Sequence, residues 1–126
     1  MIWKIGISVL VVGAMGSMFF LRNTEKEKKD FDPEISYYLV ENGAVLIDVR
    51  SKGEYDSGYV EGAVHIPHYD IKNQKDLIEK LTKNDKSASI VVYCQSGSRS
   101  GVAKIALETM GYKNVVNHGS IGSWKK

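Results

Sequence analysis

Two short apolar runs, Ala44 to Val49 (AVLIDV) and Ser89 to Tyr93 (SIVVY), constrain this chain more than any other feature. Neither alternates apolar with polar residues, as a strand with one wet face would. Runs of this kind suit strands covered on both faces, as in parallel sheets, whose neighbours need helical crossovers between them. Helical signals stand where crossovers are required. Asp32 before Pro33 reads as an N-cap and first helical residue; Ile35, Tyr38 and Leu39 then share a face, and Gly43 ends the segment. Ser51 and Glu54 have capping-box spacing. Gly58, Gly62 and Pro67 punctuate a loop around a short strand, Ala63 to Ile66. Gln74 to Lys83 reads as a helix with Leu77, Ile78 and Leu81 on one side. Ser100 to Met110 reads as another, with Val102, Ile105, Ala106 and Leu107 apolar and Gly111 as its stop. Asn114 to Val116 is a last short strand. The alternation predicts an α/β fold, a parallel sheet with helices on both faces.

The N-terminal stretch is of a different kind. Ile5 to Leu21, seventeen residues, carries no charged side chain, with Lys4 before it and Arg22 after it. That is the short end of a membrane span, and counting from Ile2, with Lys4 snorkelling outward, lengthens it to twenty. A helix apolar all round has no polar face to show water, which disfavours a place in a soluble domain. The rival is a cleavable signal peptide, with Lys4 as n-region, Ile5 to Val12 as h-region and Ala14-Met15-Gly16 as the small-residue site. Met18-Phe19-Phe20-Leu21 continues the apolar run past that site and favours an uncleaved, single-pass anchor. The expected division is therefore residues 1–22 as anchor or signal, 23–30 (NTEKEKKD) as a solvated charged linker, and 31–126 as one domain with one core. Arg22, Lys26, Lys28 and Lys29 against Lys4 favour the C-terminal side inside, whereas Lys4 with the α-amino group also begins exported domains. The expected location is a membrane-anchored domain on the periplasmic side; a cleaved periplasmic form and the cytoplasmic face are the alternatives.

Charge is nearly balanced, 17 Lys+Arg against 15 Asp+Glu, and no basic stripe with interleaved aromatics suggests nucleic acid. A single cysteine, Cys94, excludes an internal disulfide and a Cys-only zinc site. It stands where the second apolar run ends: Val91-Val92-Tyr93-Cys94-Gln95-Ser96-Gly97-Ser98-Arg99-Ser100-Gly101. Ligands of α/β sheets bind at the carboxyl ends of strands. A small polar loop wrapping onto a helix N-terminus points backbone N–H groups inward and makes an anion site. The same donors lower the pKa of a central thiol and yield a nucleophilic thiolate. Gly97 permits a backbone conformation other residues resist, Arg99 offers a planar cation for oxyanions, and Ser96, Ser98 and Ser100 add hydroxyls. A buried, inert core cysteine is the bland alternative, and the strand–Cys–loop–Arg–helix order speaks against it.

These residues resemble the rhodanese family of sulfurtransferases, over about Ser36 to Trp124. Leu46-Ile47-Asp48-Val49-Arg50 is similar to the family's strand with its Asp-x-Arg signature. Glu54-Tyr55, Gly58-Tyr59-Val60 and Gly62-Ala63-Val64-His65-Ile66-Pro67 are similar to its next segment, Cys94 to Ser100 to its active-site loop, and Met110-Gly111-Tyr112 with Val115-Val116 to its last helix-to-strand passage. The likeness is greatest to small single-domain members of the bacterial envelope, of the phage-shock type. It implies a parallel sheet of about five strands. It also implies sulfur transfer from thiosulfate to a thiol or cyanide through a Cys94 persulfide, with Gln95, Ser96, Gly97, Ser98, Arg99 and Ser100 binding the donor and Asp48 and Arg50 in support. No metal or organic cofactor is implied. Ser120 stands where the family usually has a second glycine, and His65 where it commonly has asparagine.

Two other readings accompany this one. Cysteine phosphatases and arsenate reductases of the related fold place five residues between Cys and Arg, whereas four lie between Cys94 and Arg99. A non-catalytic binding module or persulfide carrier would share the fold without turnover. Glu54 is read as a capping residue or ion-pair partner, His118 as a loop surface residue, Trp124 as packing and Lys104 as part of a solvated helix face. His65 and His68 form an H-x-x-H spacing with no third ligand nearby, too little for a metal site.

Overall fold

The computed structural model describes residues 29–125. The apolar run 5–21, and with it the expected N-terminal helix and anchor or signal segment, lies outside these residues. Among the described residues no helix is long and apolar enough to cross a membrane.

Helix α1 (Pro33–Glu41) begins as its cap dictates: Asp32 Oδ1 accepts from the N–H of Glu34 at 3.0 Å and of Ile35 at 3.4 Å, with Pro33 in the first turn. Then come β1 (Val45–Asp48), α2 (Lys52–Asp56), β2 (Val64–His65), a 3-10 turn (His68–Gln74) leading into α3 (Lys75–Leu81), β3 (Ser89–Cys94), α4 (Ser98–Thr109), β4 (Asn114–Ser120) and a last 3-10 turn (Ile121–Ser123). The Ser51–Glu54 capping box at α2 is present in both directions. The sheet is parallel throughout, in the order β2-β1-β3-β4. It has four strands among the described residues, one fewer than the family resemblance implies.

Side chains leave each strand alternately to the two faces. Ile47, Val49, Ile90, Val92 and Val115 meet Ile71, Ile78, Ala103, Leu107 and Tyr112 on one side. Leu46, Val91, Tyr93 and Val116 meet Leu39, Val40, Ile121 and Trp124 on the other. Both faces are covered, which is why the runs read as continuously apolar.

Two helices are rotated from the faces their apolar periodicity predicts, although Leu39 of α1 and Ala106 and Leu107 of α4 pack inward as expected. Helix α1 buries Ser36 and Tyr37 and leaves Tyr38 65% exposed. Ser36 Oγ lies 2.9 Å from His118 Nδ1, while Tyr37 Oη donates to the Ser123 carbonyl at 3.2 Å and accepts from the Lys125 N–H at 2.8 Å. Helix α4 buries Ser100, Ala103 and Leu107 and leaves Val102 and Ile105 exposed. In both cases polar tethers set the helix rotation.

Strand β4 runs past the expected end at Val116 because of a bulge. Val92 pairs with Asn117 and Tyr93 with Gly119, so His118 is the extra residue. His118 is consequently buried to 1% exposure, not a loop surface residue, with its ring edge-on to Trp124 at 4.8 Å. Its Nε2 has no hydrogen-bond partner, and burial lowers its pKa. Lys104 is not a solvated side chain either. Its Nζ sits 2.5 Å from Asp30 Oδ2, and Asp30 Oδ1 accepts from the Asn117 N–H at 2.9 Å. Asp30, expected as the last linker residue, is thereby bound into the fold.

Candidate active site

Strand β3 ends at Cys94 and α4 begins at Ser98, so the intervening loop is Gln95 to Gly97. Ser98 and Arg99, expected in the loop, belong to the first helical turn. Gly97 has φ +106°, a conformation that calls for glycine, and its backbone packs against Gly119. The loop is fastened from three sides. Ser120 Oγ donates to the Gln95 carbonyl at 2.7 Å, Ser100 Oγ to the Gly97 carbonyl at 3.0 Å, and Asn117 Nδ2 to the same carbonyl at 3.4 Å.

Cys94 is fully buried, and its sulfur is ringed by donors. The Gly97 N–H donates to Sγ at 2.9 Å, and Ser100 Oγ lies 3.3 Å away. Burial pushes the thiol up. Hydrogen bonds from the Ser100 hydroxyl and from the N–H groups of Ser100, Gly97 and Ser96 outweigh it, and the pKa falls below its ordinary value. The start of α4 adds the positive end of its dipole.

Arg99 is not a free cation. Its Nη1 and Nη2 donate to Glu54 Oε1 and Oε2 at 2.7 and 3.0 Å. Glu54 thus serves as both cap and ion-pair partner, since its Oε1 also accepts from the Ser51 N–H at 3.2 Å and Oγ at 2.9 Å. The Arg99 bonds first, and those from Ser51 next, hold its carboxyl at about 2. The Arg99 pKa is raised, chiefly by its bonds to Glu54, with a contribution from the charge of Cys94.

Asp48 and Arg50 form a buried ion pair at the end of β1. Arg50 Nε bonds both Asp48 oxygens at 3.1 Å, and Nη2 bonds Oδ2 at 2.8 Å. Nη2 also donates to the Gly58 carbonyl at 2.6 Å, and Nη1 reaches Gln95 Oε1 at 3.4 Å. The pair ties the loop after α2 and the loop after Cys94 to the same strand end. Ser96 and Ser98 are exposed, their hydroxyls 3.4 Å apart.

Several residues around the site are not assigned to it by the sequence. Asn117, Gly119 and Ser120 arrive through the β4 bulge. Phe31, with φ +63°, lays its ring against Gly119 and Gly97. His65 stacks on Tyr55 at 4.5 Å with Nε2 2.8 Å from the Arg50 carbonyl oxygen, and His68 packs edge-on to Tyr69. Among the described residues no three His, Cys, Asp or Glu side chains gather as a metal site.

Comparison with known proteins agrees with this geometry. A family model described as a rhodanese-like domain matches residues 32–126. Thiosulfate sulfurtransferase PspE of Escherichia coli is 40% identical over 75 residues, 60% of this chain and 68% of that protein. Among solved structures, the human single-domain sulfurtransferase TSTD1 matches with a TM-score of 0.61 at 26% identity, covering 73% of this chain and 89% of the other. A rhodanese with anions from E. coli matches at 0.57 and 36%, covering 64% and 89%. With a family match running from the cap of α1 to the end of the chain, residues 32–126, the chain belongs to the rhodanese-like domain family.

Proposed function

We propose that the protein is a sulfurtransferase that carries sulfane sulfur as a persulfide on Cys94. The reading is supported above all by what surrounds Sγ at the start of α4: the Gly97 N–H donates to it, and the Ser100 hydroxyl, 3.3 Å away, can turn its proton from the Gly97 carbonyl to the sulfur once the sulfur is charged. They stabilise the thiolate and, once sulfur has been transferred, the charge on the persulfide that replaces it. The thiolate attacks the outer sulfur of thiosulfate or a similar donor. A bond forms between the two sulfurs, the donor's sulfur–sulfur bond breaks, and its electron pair leaves on sulfite. An acceptor thiolate, or cyanide in an assay, then takes the outer sulfur and restores Cys94. Neither half-reaction transfers a proton at carbon or needs a general base.

Arg99, Gln95, Ser96 and Ser98 are assigned to the rim where the donor docks, and Asp48 and Arg50 to holding that rim in place. The phosphatase reading is the weaker one, because the donors converge on sulfur and the spacing to Arg99 is one residue short. Cys94→Ser tests the function. Thiocyanate formation from thiosulfate and cyanide is expected to vanish in a variant that folds normally, and turnover persisting in it would overturn the assignment. The uncharged run 5–21 supports attachment to a membrane with the domain on the periplasmic side. Protease digestion of the domain in spheroplasts, but not in intact cells, is the expected result; protection in both would contradict it.

A further inference from the structure

Both arginines of the site already carry a carboxylate. Asp48 takes Arg50, and Glu54 takes both terminal nitrogens of Arg99. Such an end-on pair occupies the guanidinium fork that would otherwise grip a second oxyanion. Glu54 also remains ionised across the working range, its carboxyl being held at about 2. The groups that reach the sulfur are neutral, a backbone N–H and a hydroxyl. A donor therefore approaches a thiolate beside an arginine whose charge is balanced, and each extra negative charge on the donor counts against it.

We propose that Glu54 is a specificity-determining residue that selects singly charged sulfane-sulfur donors, organic thiosulfonates or the persulfides of small thiols, over the thiosulfate dianion. The inference rests on the sulfurtransferase reading. In each case the Cys94 thiolate forms a bond to the sulfane sulfur and the donor's sulfur–sulfur bond breaks. The electron pair leaves on a sulfinate, on a thiolate or, for thiosulfate, on sulfite. Charge balances in all three, and only the dianion brings two charges to the site. Unit charges ~7 Å apart, at effective dielectrics between ~80 and ~20, alter an equilibrium by roughly three- to fiftyfold. About tenfold discrimination is thus within reach of a single carboxylate.

The test measures kcat/KM for loading Cys94 in the full chain with thiosulfate and with benzenethiosulfonate, which presents a sulfonyl-bound sulfane sulfur on a single charge. Glu54→Gln keeps the shape of the side chain and removes its charge. The ratio of thiosulfate to benzenethiosulfonate is expected to rise about tenfold, mainly through the thiosulfate KM, and the gain is expected to shrink as salt is added. Ser51→Ala removes the bonds between the Ser51 hydroxyl and Glu54 but keeps the Ser51 N–H bond and the Arg99 pair, and the ratio is expected to stay at the native value. An unchanged or lower ratio in Glu54→Gln overturns the proposal, as does an equal rise in Ser51→Ala, which would assign the effect to the helix. Failure of both donors to load the native protein would instead overturn the sulfurtransferase reading beneath it.

Discussion

Replacing Ser100 by alanine isolates what the cradle does for the thiolate. Ser100 is fully buried in the first turn of α4, its Oγ 3.3 Å from Cys94 Sγ and 3.0 Å from the Gly97 carbonyl oxygen. That carbonyl also accepts from the Gly101 N–H at 3.1 Å, so alanine orphans no group. The cost to the fold is about 1 kcal/mol, one ordinary hydrogen bond. The thiolate loses a donor. A hydrogen bond to a charged acceptor contributes about 1.5–3 kcal/mol, from which the bond to Gly97 that the hydroxyl gives up must be subtracted. About 0.5–2 kcal/mol remains, equivalent to a roughly two- to thirtyfold smaller thiolate fraction at a pH below the thiol's midpoint. The rate of alkylation by iodoacetamide against pH, followed alongside thiolate ultraviolet absorbance, reads this directly. The curve is expected to move to higher pH with its plateau kept. A superimposable curve in a folded variant would refute the view that Ser100 stabilises the thiolate.

Three further outcomes are expected. His118 is buried neutral with its pKa lowered, so its contribution to stability is present above the unfolded value of about 6.5 and is lost as pH falls through the folded one. Denaturation between about pH 7 and pH 5 should show stability dropping by at most about 1.4 kcal/mol per unit from this group, with the drop reduced in His118→Gln; an equal drop in both proteins would contradict the assignment. Arg50→Met leaves the Asp48 carboxylate buried without its cation and is expected to cost about 3–5 kcal/mol by urea denaturation, whereas a loss under about 1 kcal/mol would mean that the pair does not organise this corner. Gly119→Ala places a Cβ 2.9 Å from Phe31 Cδ1 at φ +94° and is expected to cost about 1–3 kcal/mol. Adding Phe31→Ala should recover part of that cost, and no recovery would show that the ring is not the obstacle.

What could be read from the chain follows the range of the interactions involved. AVLIDV and SIVVY are strands because both faces are buried, a property that each run carries alone. Asp32, and Ser51 with Glu54, mark helix starts because capping bonds span only two or three residues. Cys94 was legible as a site because the strand, the loop and the helix start are consecutive. The misread features depend on distant partners. Helix α1 turns Ser36 inward to meet His118, 82 residues away, and α4 turns Ser100 towards Cys94, so apolar periodicity placed Leu39 and Leu107 correctly but not Tyr38, Val102 or Ile105. The extra residue at His118 breaks the strand period and hid the place of Asn117, Gly119 and Ser120 at the site. Arg99 looked like a free cation because Glu54 lies 45 residues away.

Intact mass of the purified protein after exposure to a sulfane-sulfur donor tests the central claim most directly. With thiosulfate and, separately, benzenethiosulfonate, a gain of one sulfur atom is expected, absent in Cys94→Ser and lost on adding cyanide as thiocyanate appears. No gain from either donor, while Cys94 is readily alkylated by iodoacetamide, would contradict a persulfide on this cysteine and the sulfurtransferase assignment with it.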